Sequence, residues 1–373
     1  MKKVSILAAI ALVVVGCNKK SIEDAPLGPA MPDREAPISF GVGGDVQITP
    51  AKAITKAAVA LPNDTKLGVF AFQGKTLPTS ASTANGALWG DRDTENLEYT
   101  WNASAGTTGA FKESGTSPKL FWPTTAAGTK LSFASYFPYT AAGVSAFVLT
   151  QNMADQTADA TTSKAPDYGF AWAKLENVER PNPIVSKQLA FNYKVAKLSF
   201  AIMGDSDDGI QMQTGGTGEG IVAINVYGAS TGFYQTYKLN LLDGTSTGSG
   251  DLNSSNKMQI QGIDASKVDN TVTPAVTTKF VTAEAFVVPS TTDAGLKSDG
   301  IVVEIMYNDG TNTQSYKAEI KAGDKLTGKA ALEDGLEVGT NYKYTLKLGK
   351  SLTVFTGKVV DWNEVTVPDV TLE

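Results

Sequence analysis

The chain has 373 residues, 42% hydrophobic, 9% aromatic and 19% charged, enough apolar material for about two folded domains and too much for disorder throughout. It holds no histidine and one cysteine, Cys17, which excludes Ser-His-Asp and Cys-His nucleophile systems, histidine-bearing zinc sites, disulfide frameworks and thiolate clusters. Its 32 basic and 38 acidic residues leave a net charge of -6, and Arg34, Arg92 and Arg180 are its only arginines, so it lacks the phosphate-tracking surface of a nucleic-acid binder.

Met1-Lys2-Lys3 precedes an apolar run from Ile6 to Val15 and then Gly16-Cys17, the layout of a secretory signal and too short to span a membrane as a mature helix. Val14-Val15-Gly16-Cys17 resembles a bacterial lipobox. Residues 1–16 are therefore expected to be a lipoprotein signal peptide and Cys17 the lipidated residue; the alternative is a signal cut elsewhere, with Cys17 incidental. Residues 17–36, rich in proline and charge and nearly free of aromatics, read as a flexible tether. No later run approaches the roughly 18 apolar residues of a membrane span, so the body is expected to be soluble and held at most by lipid.

From Ile38 onward the dominant period is two. Ile38–Val42 and Val46–Ile48 are candidate first strands, and Leu131 and Phe133 open an alternating run with one wet face. Arg180-Pro181-Asn182-Pro183 interrupts strand pairing and places a boundary between an N-terminal domain, 37–185, and a C-terminal one, 186–373. Segments 203–220 and 243–257, rich in Gly, Ser and Thr, read as long loops. Gly300–Tyr307, ending at Asn308-Asp309-Gly310, predicts a strand buried on both faces and then turned. Tyr316, Ala318 and Ile320, and then Tyr342, Tyr344, Leu346 and Leu348, each mark one buried face; Ala330–Leu336 is a short helical candidate. Such a pattern predicts an all-β chain of sandwiches or barrels.

Sites of chemistry are weak. Gly215–Gly220 lacks the spacing and following helix of a phosphate cradle, and Asp205–Gly209 lacks the closing Glu of a calcium loop. Trp101, Trp122 and Trp172 offer sugar-stacking faces, but at strand spacing they read as core. The expectation is of no catalytic, cofactor-binding or metal residues.

Four stretches, in order, resemble the fimbrillin family, the lipoprotein-derived subunits of type V pili. They are Lys66–Phe72, preceded by Ile54-Thr55-Lys56-Ala57; Phe121-Trp122-Pro123 with Lys130–Pro138; Asp167–Ala173 with Leu189–Leu198; and Tyr342–Leu348 with Val359-Val360-Asp361-Trp362-Asn363. Many relatives place a His near Asn192–Lys194, where this chain has none. The resemblance implies two transthyretin-like β-sandwiches in tandem, outer-membrane lipoprotein export, proteolytic removal of the first strand and assembly with other pilus subunits by donor-strand exchange into an adhesive surface pilus. It implies no enzyme, no cofactor and no nucleic acid.

Within that scheme the processing protease is expected to cut at Lys56, before small Ala57-Ala58, with Lys52 and Arg34 as alternatives. A sheet that loses a strand exposes unpaired backbone groups and an apolar groove, which another subunit's strand can fill. Residues 364–373 are a candidate donor, with Val365, Val367, Val370 and Leu372 as apolar anchors; the alternative is that they form the last strand of their own domain. The competing functional readings are a pilus-tip adhesin, a pilus anchor that keeps its lipid, and a surface lipoprotein that binds glycan or host protein.

Overall fold

The computed structural model describes residues 32–42, 64–90, 96–102, 110–115, 118–124, 128–156, 168–181, 186–204, 220–229, 233–260, 280–288, 300–308, 310–320, 326–327, 336, 338–349 and 352–361. In chain order the elements are β1 (Pro32–Pro37), β2 (Ser39–Val42), β3 (Lys66–Gln73), α1 (Ala81–Ala87), β4 (Leu97–Asn102), β5 (Ala110–Glu113), β6 (Phe121–Pro123), β7 (Leu131–Phe137) and β8 (Val144–Ser145). There follow β9 (Val148–Asn152), β10 (Asp155–Gln156), β11 (Ala171–Val178), β12 (Lys187–Leu189), β13 (Asn192–Tyr193), β14 (Ala196–Gly204), β15 (Gly220–Gly228), β16 (Phe233–Asn240) and β17 (Ser246–Leu252). The rest are β18 (Met258–Ile260), β19 (Phe280–Val287), β20 (Ile301–Asn308), β21 (Thr313–Ile320), β22 (Leu326–Thr327), β23 (Thr340–Leu348) and β24 (Leu352–Asp361).

The N-terminal part is an eight-stranded sheet of order β12-β2-β5-β4-β3-β7-β11-β13, accompanied by the β1-β6 pair. Its inner face carries Phe40, Leu67, Val69, Tyr99, Phe111, Leu131 and Phe133, which share one buried cluster with Trp122 of β6. The C-terminal part is a sandwich of two five-stranded sheets, β10-β18-β15-β20-β21 and β19-β14-β23-β24-β22. Ile224, Val226, Val303 and Ile305 from the first meet Leu198, Phe200, Tyr344 and Leu346 from the second. The chain is all-β in sandwich layers, as its period of two implies.

A further, four-stranded sheet, β17-β16-β9-β8, covers the outer face of β3, β7 and β11. Phe147, Leu149, Tyr237 and Leu239 pack there against Phe70, Phe72, Tyr136 and Trp172. This explains one departure from expectation. β7, read as a strand with one wet face, is buried along all seven residues, because a second layer lies on the side that alternation assigned to water. The buried hydroxyls on that strand are satisfied at once: Ser132 and Ser135 donate to the carbonyls of Gly74 and Gly68 at 3.0 and 2.9 Å.

Three other readings change. Residues 243–257 are not a loop, since β17 pairs with β16 through Phe233↔Leu252 to Leu239↔Ser246; an exposed edge strand of Ser, Thr and Gly has no apolar alternation to betray it. Residues 32–37, read as the end of the tether, pair with β6 as β1. Helix α1 went unseen in the sequence; Ser80 caps it and shares a reciprocal capping box with Thr83, which stands in for the missing apolar periodicity. The helical candidate 330–336 lies outside the described residues except for Leu336, which is buried.

Candidate assembly site

The element that singles itself out is the first one. β1 and β2 lie upstream of Lys56, yet their residues complete the N-terminal core. Along them Ala36, Ile38 and Phe40 alternate inward, at 6%, 2% and 0% exposure. Phe40 sets its ring edgewise on Tyr99 at 5.4 Å and on Phe133 at 5.2 Å. Burying Ile38 and Phe40 contributes roughly 1.5–3 kcal/mol each.

Backbone pairing ties the segment in on both sides. β2 runs antiparallel to β5, with Phe40↔Phe111, and parallel to β12, with Phe40↔Lys187 and Val42↔Leu189. β2 is thus an interior strand, with a neighbour on each side. Ser39 and Ser186 share a hydroxyl hydrogen bond at 2.9 Å. Ile38 N–H donates to the Leu120 carbonyl at 3.1 Å, and the Tyr99 hydroxyl donates to the Ile38 carbonyl at 3.3 Å. Without this segment the strands β5 and β12 would each face an empty ladder position above an aromatic floor.

That floor is imperfectly satisfied. The indole N–H groups of Trp101 and Trp122 are buried without an acceptor among the described residues, whereas Trp89 donates to the Phe121 carbonyl at 2.7 Å. Trp101 and Trp122 instead make edgewise ring contacts with Phe111 at 5.0 Å and Phe133 at 6.2 Å. Trp101, Trp122 and Trp172 are all core residues, at 8%, 0% and 7% exposure, and offer no sugar-stacking face.

Of the residues singled out from sequence, Arg34 lies on β1, where the backbone alone is described. Cys17, Lys52, Lys56, Val365, Val367, Val370 and Leu372 lie outside the described residues, as do Val46–Ile48, Trp362, the acidic run 205–209 and glycines 215, 216 and 218. Among the described residues no cluster of His, Cys, Asp and Glu is placed to hold a metal ion.

Three features away from β1 and β2 escaped the sequence. Gln156, 1% exposed, clasps Phe286 across 130 residues: its amide donates to the Phe286 carbonyl at 2.6 Å and accepts from the Phe286 N–H at 2.9 Å. Trp172 Nε1 donates to the Leu241 carbonyl at 3.0 Å, a second tie between the two halves of the chain. Glu304, 3% exposed, accepts from Lys257 at 2.6 Å, Asn225 at 3.0 Å and Ser315 at 2.9 Å, with Lys317 at 3.6 Å. Burial alone would raise this carboxyl, but the hydrogen bonds from Lys257, Asn225 and Ser315 outweigh it and bring its pKa down to about 2.

Comparison with known proteins bears on this architecture. A fimbrillin-like family model matches residues 55–362. A candidate cell adhesion protein from Bacteroides uniformis is 18% identical, with 80% of this chain and 92% of that one aligned at a TM-score of 0.52. Another, from Bacteroides ovatus, is 18% identical over 92% of this chain and 100% of that one, with a TM-score of 0.51. These two likenesses concern the fold. Curated protein sequences gave no match. The family match spans most of the chain and its sheets, and by it the chain belongs to the fimbrillin-like family, as a structural subunit of a cell-surface pilus and not an enzyme.

Proposed function

We propose that the chain is exported as an outer-membrane lipoprotein carried by lipid on Cys17, cut after Lys56, and joined to other subunits by strand exchange at the position that β1 and β2 occupy. The observation that supports this most strongly is the place of β2. It is an interior strand whose Phe40 is fully buried, and it belongs to a segment that lies wholly upstream of Lys56. Cleavage there would let β1 and β2 depart together and leave a groove lined by Tyr99, Phe111, Trp122 and Phe133. Four apolar anchors, Val365, Val367, Val370 and Leu372, at roughly 1.5–3 kcal/mol each, with ladder hydrogen bonds near 1 kcal/mol each, would make a long-lived joint after ordering entropy is subtracted.

The test is deletion of residues 364–373 from a chain expressed in cells that build the pilus. Loss of the polymer ladder on denaturing gels, with the monomer still folded and cleaved, is the expected result. An unchanged ladder would remove the tail as donor.

A further inference from the structure

We propose that a basic cleft beside the β1-β2 slot seats the acidic tail of a second copy of this chain, so that charge selects and orients the incoming strand. This rests on the strand-exchange reading above and adds to it a recognition site on the receiving subunit.

The cleft measures about 450 Å³ and is lined chiefly by Lys130, Leu175, Val178, Glu179, Arg180 and Lys187. Its lining thus presents three cations and one carboxylate, and that carboxylate is already paired with Lys130. A bulge in β11 between Leu175 and Val178, with Asn177 at φ 57°, carries the end of the strand out of register with β7. Lys187 has no carboxylate partner among the described residues.

Its position is what gives the cleft a partner. Lys187 stands in register with Phe40, and the Arg180 guanidinium donates to the carbonyls of Pro123 and Thr124 at 3.2 and 3.4 Å. Pro123 is the residue opposite Pro32. The cations therefore stand beside the upstream ends of the two leader strands, Arg180 by the opening of β1 and Lys187 by Phe40 near the start of β2. The candidate donor has the complementary charge: after Lys358 the sequence carries Asp361, Glu364, Asp369 and Glu373 and no Lys or Arg. Asp369 and Glu373 bracket the anchors Val370 and Leu372. Seating those two carboxylates at the cleft puts the end of the donor beside the upstream end of β2, so the donor runs antiparallel to the strand it replaces. Charges at the margin of an interface act mainly on encounter rate and register.

The test uses full-length precursor, purified as monomer and processed in solution, with polymerisation followed over time. Lys187→Glu is expected to slow joining about tenfold at low salt, with the gap closing at high salt as screening shortens the reach of the charges. Adding Asp369→Lys and Glu373→Lys to the same chain should restore most of the rate. Because the loss could come from misfolding, Lys187→Gln serves as a milder variant, expected to give an intermediate rate with an unchanged thermal midpoint. Orientation is read separately by disulfide trapping: Lys187→Cys should cross-link to Asp369→Cys and not to Glu364→Cys. A Lys187→Glu chain that joins at the wild-type rate at all salt concentrations, while deletion of 364–373 still abolishes joining, overturns the cleft and spares strand exchange. Joining that survives the deletion overturns both. Binding of an immobilised sialylated glycan that Lys187→Glu abolishes, with joining unaffected, assigns the cleft to an anionic sugar and overturns the proposal as well.

Discussion

Phe40→Ala separates a residue's role in the precursor from its role in the polymer. Phe40 is fully buried, with two edgewise aromatic contacts, and truncating such a ring leaves a cavity that costs about 3–5 kcal/mol. For a domain of this size a kilocalorie moves the midpoint by about 2–4 °C, so the unprocessed monomer should lose on the order of 10 °C in scanning calorimetry. The same substitution should leave the dissociation temperature of the assembled polymer unchanged, because residue 40 lies upstream of Lys56 and would leave with the segment that the proposed cleavage removes. A precursor shift of less than about 1 kcal/mol would refute the claim that β2 completes the core. A polymer weakened as much as the precursor would refute its removal.

Three further outcomes follow from the geometry. Gln156→Leu removes both of its hydrogen bonds to Phe286 at a buried site; urea unfolding should show a loss of about 2–4 kcal/mol. Gly244→Ala places a methyl 2.3 Å from the Trp172 ring at a backbone φ of +73°, so it should cost about 2 kcal/mol and red-shift tryptophan emission as the indole is displaced. Because Glu304 is held at about 2 against an ordinary 4.5, its contribution is present above about pH 4.5 and lost as pH falls toward 2. The unfolding free energy from urea titrations should fall across that window by up to about 3 kcal/mol, and Glu304→Gln should flatten this part of the profile.

The strands that period two announces are those with one wet face. β23 buries Tyr342, Tyr344, Leu346 and Leu348 as the sequence reads, and β21 buries Ala318 and Ile320. What stayed hidden depends on a layer supplied from far along the chain. β7 is covered on both sides because β16, about a hundred residues later, pairs with β9 and brings its neighbours over Ala134 and Tyr136. No local pattern carries that information. The same holds for Glu304, whose place in an apolar run read as buried on both faces gives no hint that Asn225, Lys257 and Ser315 converge on it. β1 was hidden by its composition: Pro32-Asp33-Arg34-Glu35 reads as tether, and only its pairing to Trp122 and Pro123 makes it a strand. For the assembly site, Ile38–Val42 was legible as a strand from its apolar residues, whereas its interior place between β5 and β12 was not, because neither partner is near in sequence.

The most direct measurement is the N-terminus of the mature subunit, read by mass spectrometry on pili sheared from the cell surface. The account predicts chains that begin at Ala57 and lack residues 32–42. Chains that retain a lipidated Cys17 and the whole of β1 and β2 would contradict it.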